Sequence, residues 1–136
     1  MVPSALRERL AALAPRHGIR LALVFGSAVS RLVHERSDFD LAILLERPDL
    51  GVSALGDLLH ELAPSVPGRK LDLAILNRAD PLFLHQIVTT CELAYGEPDA
   101  LQNLRLYAFR RYQDHLRFLD LERAYVRRVI ERFDAA

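Results

Sequence analysis

The pentapeptide Asp40-Leu41-Ala42-Ile43-Leu44 recurs unchanged downstream as Asp72-Leu73-Ala74-Ile75-Leu76. The flanking residues differ and only two copies exist, so the chain is not a solenoid. The copies read as two buried strands in similar surroundings, each opening with a carboxylate. Between them Val52, Leu55, Leu58, Leu59 and Leu62 follow the spacing of an amphipathic helix. Parallel strands need a long crossover connection, usually a helix. Strand, helix, strand is therefore read as the right-handed parallel unit. It puts Asp40 and Asp72 at the same end of one sheet.

A third apolar run, Leu21 to Phe25, ends at Gly26-Ser27, ten residues before Asp38-Phe39-Asp40. On a strand, residues two apart share a face, so Asp38 and Asp40 project together while Phe39 and Leu41 point away. The strand before Gly26 delivers its glycine to that end only if it runs antiparallel to the strand of Asp40. The expectation is a mixed sheet with Asp38, Asp40, Asp72 and a glycine turn converging. Crowded carboxylates call for a cation between them, and Mg2+ takes one or two carboxylates plus substrate phosphates. Gly26 lets backbone approach a ligand closely, and the N–H groups that follow can face a phosphate. Taken singly, each feature is ordinary. Ser37-Asp38 suits a helix cap or turn, Gly26-Ser27 a loop, and Asp72 the exposed start of a strand. Their convergence is what points to chemistry.

Gly-Ser-x10-Asp-x-Asp, with a third aspartate on the next strand, resembles the signature of the DNA polymerase β-type nucleotidyltransferase superfamily. The resemblance implies that superfamily's fold, an α/β (α+β) arrangement with a small mixed sheet packed by helices. It implies that Asp38, Asp40 and Asp72 bind two Mg2+ ions and are catalytic. In that reading Asp38 and Asp40 bridge the metals, and Asp72 helps activate the acceptor hydroxyl. Gly26 and Ser27 hold the triphosphate of ATP. Phe25-Gly26-Ser27, Ser37 to Ala42, Leu71 to Asn77 with Pro81, and Glu92 to Gly96 are similar to one branch, the minimal nucleotidyltransferases of the MntA antitoxin type. The tail around Tyr107, Arg111, Tyr112, Asp114 and Phe118 is similar too. After Ser27 the chain runs Ala28-Val29-Ser30-Arg31, where the family often has Ala-Arg-Gly in another register. The branch implies an antitoxin that moves AMP from ATP to a tyrosine of a HEPN-family toxin. The alternative is an antitoxin that keeps the fold and neutralises its partner by contact alone.

Composition narrows the transferase. The chain has 136 residues, 51% hydrophobic and 26% charged, with zero formal net charge. That length is read as a single domain, 1–136, with a catalytic core at 1–97 and a helical segment at 98–136. It leaves no room for a second domain to hold a small-molecule acceptor, so the acceptor is expected on another protein. A template-independent RNA polymerase would want a basic track, and the zero net charge argues against nucleic acid. Cys91 is the only cysteine, which excludes an intrachain disulfide and makes a cytoplasmic setting the expectation. The first residues do not read as a signal peptide, and no apolar run approaches a membrane span. The five histidines show no metal-ligand spacing. Arg69 and Lys70, the sole lysine, are assigned a surface role.

The expected layout is a helix over 4–14, strands over 19–25, 39–46 and 71–76, and a helical turn over 28–33. A helix over 52–62 lies between the second and third strands. Asp80-Pro81 reads as an N-cap followed by proline in the first turn, opening a helix that ends near 89. A short edge strand covers 93–95. From Asp99 to Phe133 no glycine or proline interrupts a helical pattern. A helix of that length outruns a domain of this size, so it must bend near 114–120 or project. Tyr125, Val129 and Phe133 are expected to be partly exposed and to dock a partner or a second copy.

Overall fold

A computed structural model describes residues 2–26, 38–48 and 51–135. Its elements in order are α1 (Ser4–His17), β1 (Ile19–Phe25), β2 (Phe39–Leu45), α2 (Val52–Leu62), β3 (Leu71–Ile75), α3 (Pro81–Thr90), β4 (Glu92–Tyr95) and α4 (Pro98–Asp134). Short 3-10 turns follow α2 at Ala63–Ser65 and β3 at Leu76–Arg78. The expected helical turn over 28–33 lies outside the described residues.

The four strands form one sheet in the order β3-β2-β1-β4. β1 is antiparallel to β2 and β4, and β2 is parallel to β3. The repeated pentapeptide pairs with itself: Asp40 lies opposite Asp72, Leu41 opposite Leu73, Ala42 opposite Ala74 and Ile43 opposite Ile75. Like residues in register give each face the same chemistry on both strands. Leu41, Ile43 and Leu45, with Phe39, face the layer of α1 and α2 and pack with Leu6, Leu10, Leu58 and Leu62. Ala42, Leu44 and Ala74 face the layer of α3 and α4 and pack with Leu84, Ile87, Leu101 and Leu104. A slip in the β1–β2 register between Ile19 and Leu21 lets β1 change its alternation. Ile19, Ala22 and Val24 then serve one face, and Leu21 and Leu23 the other.

Some boundaries differ from expectation. α1 runs three residues past Ala14, through Pro15. Proline there removes the bond to the Ala11 carbonyl, but Ala11 and Pro15 are both exposed, so water can reach that oxygen. Gly18 ends the helix in the left-handed region, its N–H donating to the Ala14 carbonyl. β3 stops at Ile75 because the chain turns at Leu76 and Asn77 takes over the pairing. The Asn77 amide accepts from Leu45 N–H at 2.9 Å and donates to the Leu45 carbonyl at 2.8 Å.

α4 is a single helix of 37 residues, about 55 Å long at the usual rise. Its buried residues are Leu101, Leu104 and Ala108, all near its start. Tyr112 adds a stacked contact with His85 of α3, ring centroids 4.0 Å apart. Beyond it Phe118, Leu121, Tyr125, Ile130 and Phe133 are all more than half exposed. The helix projects from the domain. Among the described residues no helix is long and apolar enough to cross a membrane.

Candidate active site

The ends of β1, β2 and β3 that carry Gly26, Asp40 and Asp72 lie together. Asp40 and Asp72 are register partners on adjacent parallel strands, about 4.8 Å apart along the pairing direction, so their side chains leave the same face. On that face Ala42 and Ala74 come next, and their small side chains leave space above the sheet. The resulting cleft, of about 390 Å³, is lined by Phe25, Asp40, Asp72, Leu73, Ala74 and Phe83. β1 pairs Phe25 with Asp40 and then turns at Gly26, whose φ is +64°. A β-carbon on Gly26 would collide with the Asp40 carboxylate. Glycine is needed there both for its left-handed backbone and for that close approach.

Asp38 sits just before β2 and is exposed. Its carbonyl accepts from the Arg69 guanidinium at 3.2 Å, and it does not line the cleft with the other two. Strand alternation starts only at Phe39, so the same-face rule does not yet govern its side chain. Among the described residues no group of three His, Cys, Asp or Glu is placed to hold a metal ion. The pair that the sheet itself brings together is Asp40 with Asp72. Ser27 lies outside the described residues.

Hard carboxylate oxygens suit Mg2+, and a pair of them on neighbouring strands matches the habit of that ion. It is bound through one or two carboxylates plus substrate phosphates rather than in an all-protein cage. The donor set therefore fits a metal completed by a nucleotide.

Three contributors escape a reading of the sequence. Arg69, taken above for a surface residue, ties the starts of β2 and β3 together. It holds the Asp38 carbonyl and lies over the Phe39 ring at 5.1 Å, while Phe39 N–H donates to the Lys70 carbonyl at 2.7 Å. Phe25 and Phe83 line the cleft, edge to face with centroids 6.0 Å apart. Nothing in local spacing marks an arginine as a strand clamp or joins Phe25 of β1 to a residue of α3, four elements further along. The N-cap is legible: the Asp80 carboxylate accepts from Phe83 N–H at 3.0 Å and fixes the turn that carries the ring.

The sequence model of the family described as "Polymerase beta, Nucleotidyltransferase" matches residues 8–99. No curated protein matches the chain. Among solved structures, a chain of a toxin–antitoxin complex with AMP-PNP is 24% identical, with a TM-score of 0.71; the match covers 91% of this chain and 98% of that one. A chain of the MntA–HepT toxin–antitoxin complex is 22% identical, with a TM-score of 0.65 and coverage of 92% and 97%. So is a chain from a complex of tri-AMPylated Shewanella oneidensis HEPN toxin with MNT antitoxin, at 22% and 0.65, covering 92% and 96%. At these identities the likeness is one of fold.

Proposed function

The chain belongs to the polymerase beta nucleotidyltransferase family, and from that premise we propose that it is an antitoxin that transfers AMP from ATP to a tyrosine hydroxyl of a HEPN-type toxin. The carrying observation is the register pair Asp40–Asp72 in one cleft beside the Gly26 turn. The partner and modification proposed here draw support from the solved complexes of similar fold: one holds AMP-PNP, and another an AMPylated HEPN toxin.

Asp40 and Asp72, with Asp38 just before β2, are the proposed holders of two Mg2+ ions. When bound, such ions neutralise phosphate charge and clamp the attacking and leaving oxygens of an in-line displacement. Gly26 and Ser27 are proposed to meet the phosphates with backbone and hydroxyl. The phenolic oxygen of the acceptor forms a bond to the α-phosphorus. The bond from that phosphorus to the α,β-bridging oxygen breaks, and pyrophosphate leaves. Asp72, exposed at the start of β3, takes the phenolic proton and passes it to water.

Incubation with Mg2+-ATP and the product of the adjacent gene, followed by intact-mass spectrometry, tests this reading. A mass increase of AMP on the partner is expected. A second reading, neutralisation by contact alone, draws on the exposed apolar residues of the projecting part of α4. It predicts that Asp40→Ala still neutralises the toxin and that no AMP is transferred by the wild type.

A further inference from the structure

Resting on the transfer chemistry proposed above, we infer that Phe25 and Phe83 form a seat for the ring that bears the acceptor hydroxyl, so that the cleft selects a phenol over an aliphatic alcohol. Asp72, Asp40 and Phe25 lie in one row across the sheet, and Phe83 of α3 stands edge to face with Phe25, so carboxylates and phenyl rings line the cleft side by side. A substrate group that satisfies both carries a hydroxyl on an apolar, planar body.

Phe83 is 38% exposed, although it sits in the first turn of a helix where a polar residue would cost nothing in solvent. Its place is fixed twice over. Its N–H is tied to the Asp80 carboxylate at 3.0 Å, and its ring stands edge-on to Phe25 at an interplanar angle of 81°. A ring held in this way is ready to meet another aromatic ring without losing much freedom on binding.

Chemistry decides which ring that is. The phenolic oxygen is bonded directly to its ring, so an oxygen beside Asp40 and Asp72 brings the ring within reach of Phe25, the register neighbour of Asp40, and of Phe83. Adenine is separated from the reacting α-phosphorus by the whole ribose and does not belong next to the carboxylates. A serine hydroxyl would bring only a methylene and leave the exposed Phe83 ring uncovered.

The test measures transfer with two acceptor peptides that differ only in tyrosine or serine at the modified position. The KM for peptide and the KM for ATP are determined separately for wild type, Phe83→Ala and Phe83→Tyr. A urea melt confirms that the variants fold. Phe83→Ala is expected to raise the KM for the tyrosine peptide about tenfold and to narrow the preference over serine. The KM for ATP stays unchanged, and Phe83→Tyr restores the wild-type values. An unchanged peptide KM in Phe83→Ala overturns the inference, as does a rise in the KM for ATP in its place, which would assign the rings to adenine. If the wild type transfers nothing, the functional reading fails and the seat is judged by binding. NMR titration with 4-methylphenol should then shift the Phe25 and Phe83 amides saturably, while 2-methylpropanol should not. Equal shifts with both, or none with the phenol, would refute the seat.

Discussion

The carboxylate of Asp40 lies where a β-carbon on Gly26 would be. A side chain at residue 26 would push that carboxylate aside, and the φ of +64° strains any residue but glycine. Gly26→Ala is expected to cost about 1–2 kcal/mol of stability from the left-handed backbone alone. It should also lower AMP transfer further than that loss explains, because Asp40 must move. A urea melt alongside a transfer assay separates the two effects. A variant with normal stability and normal transfer would show that Asp40 need not keep this position.

Asp40→Ala and Asp72→Ala are each expected to abolish transfer while leaving the fold intact. Two like charges a strand spacing apart repel, so removing the exposed Asp72 should hold the unfolding midpoint or raise it. Transfer at the wild-type rate in either variant would dismiss the assigned roles.

Asn77 substitutes for a strand residue by bonding both backbone groups of Leu45. Asn77→Ala leaves that part-buried N–H and carbonyl without those partners, an expected loss of about 1–3 kcal/mol. Amide hydrogen exchange at Leu45 should quicken in step. Unaltered exchange there would mean that water replaces the amide at no cost.

Cys91 is half-buried at the C-terminal end of α3, and burial pushes its thiol pKa up, while the neighbouring Arg105 guanidinium acts in the opposite direction and does not prevail. The native protein should alkylate slowly at pH 8 and quickly once unfolded. Because the folded state holds the neutral thiol, the associated stability is complete below the unfolded thiol's pKa of about 8.5. It is lost as pH rises through the folded value. Rapid labelling of the native protein at pH 8 would contradict this.

Tyr125 and Phe133 are 66% and 79% exposed on the projecting part of α4. The double change Tyr125→Asp with Phe133→Asp should move monomer stability by no more than about 0.5 kcal/mol. It should weaken association with the partner protein, as read by native mass spectrometry. Undiminished association would remove this part of the helix from the interface.

The strands, their directions and the pairing of Asp40 with Asp72 follow from local pattern in the chain. The pentapeptide of Asp40 and Asp72 has a period of two on each copy, and the helical run between the copies forces parallel pairing, so the end of the sheet that carries both aspartates follows from local pattern. The boundaries of β1 and α2 and the cap at Asp80 were legible for the same reason: they depend on near neighbours in the chain. What only the tertiary structure decided depends on contacts between distant residues. Arg69 becomes a clamp because β3 lies beside β2, and Phe83 joins the cleft because the fold sets its ring edge to face with Phe25. Asp38 lies outside the register of the sheet because β2 begins one residue after it. The length of α4 is written in its composition, but whether it folds back or projects depends on how far its apolar face finds partners. The sheet and α3 bury Leu101, Leu104 and Ala108, and the half-buried Tyr112 finds His85. Beyond Tyr112 no residue of the helix is buried, so it continues into solvent.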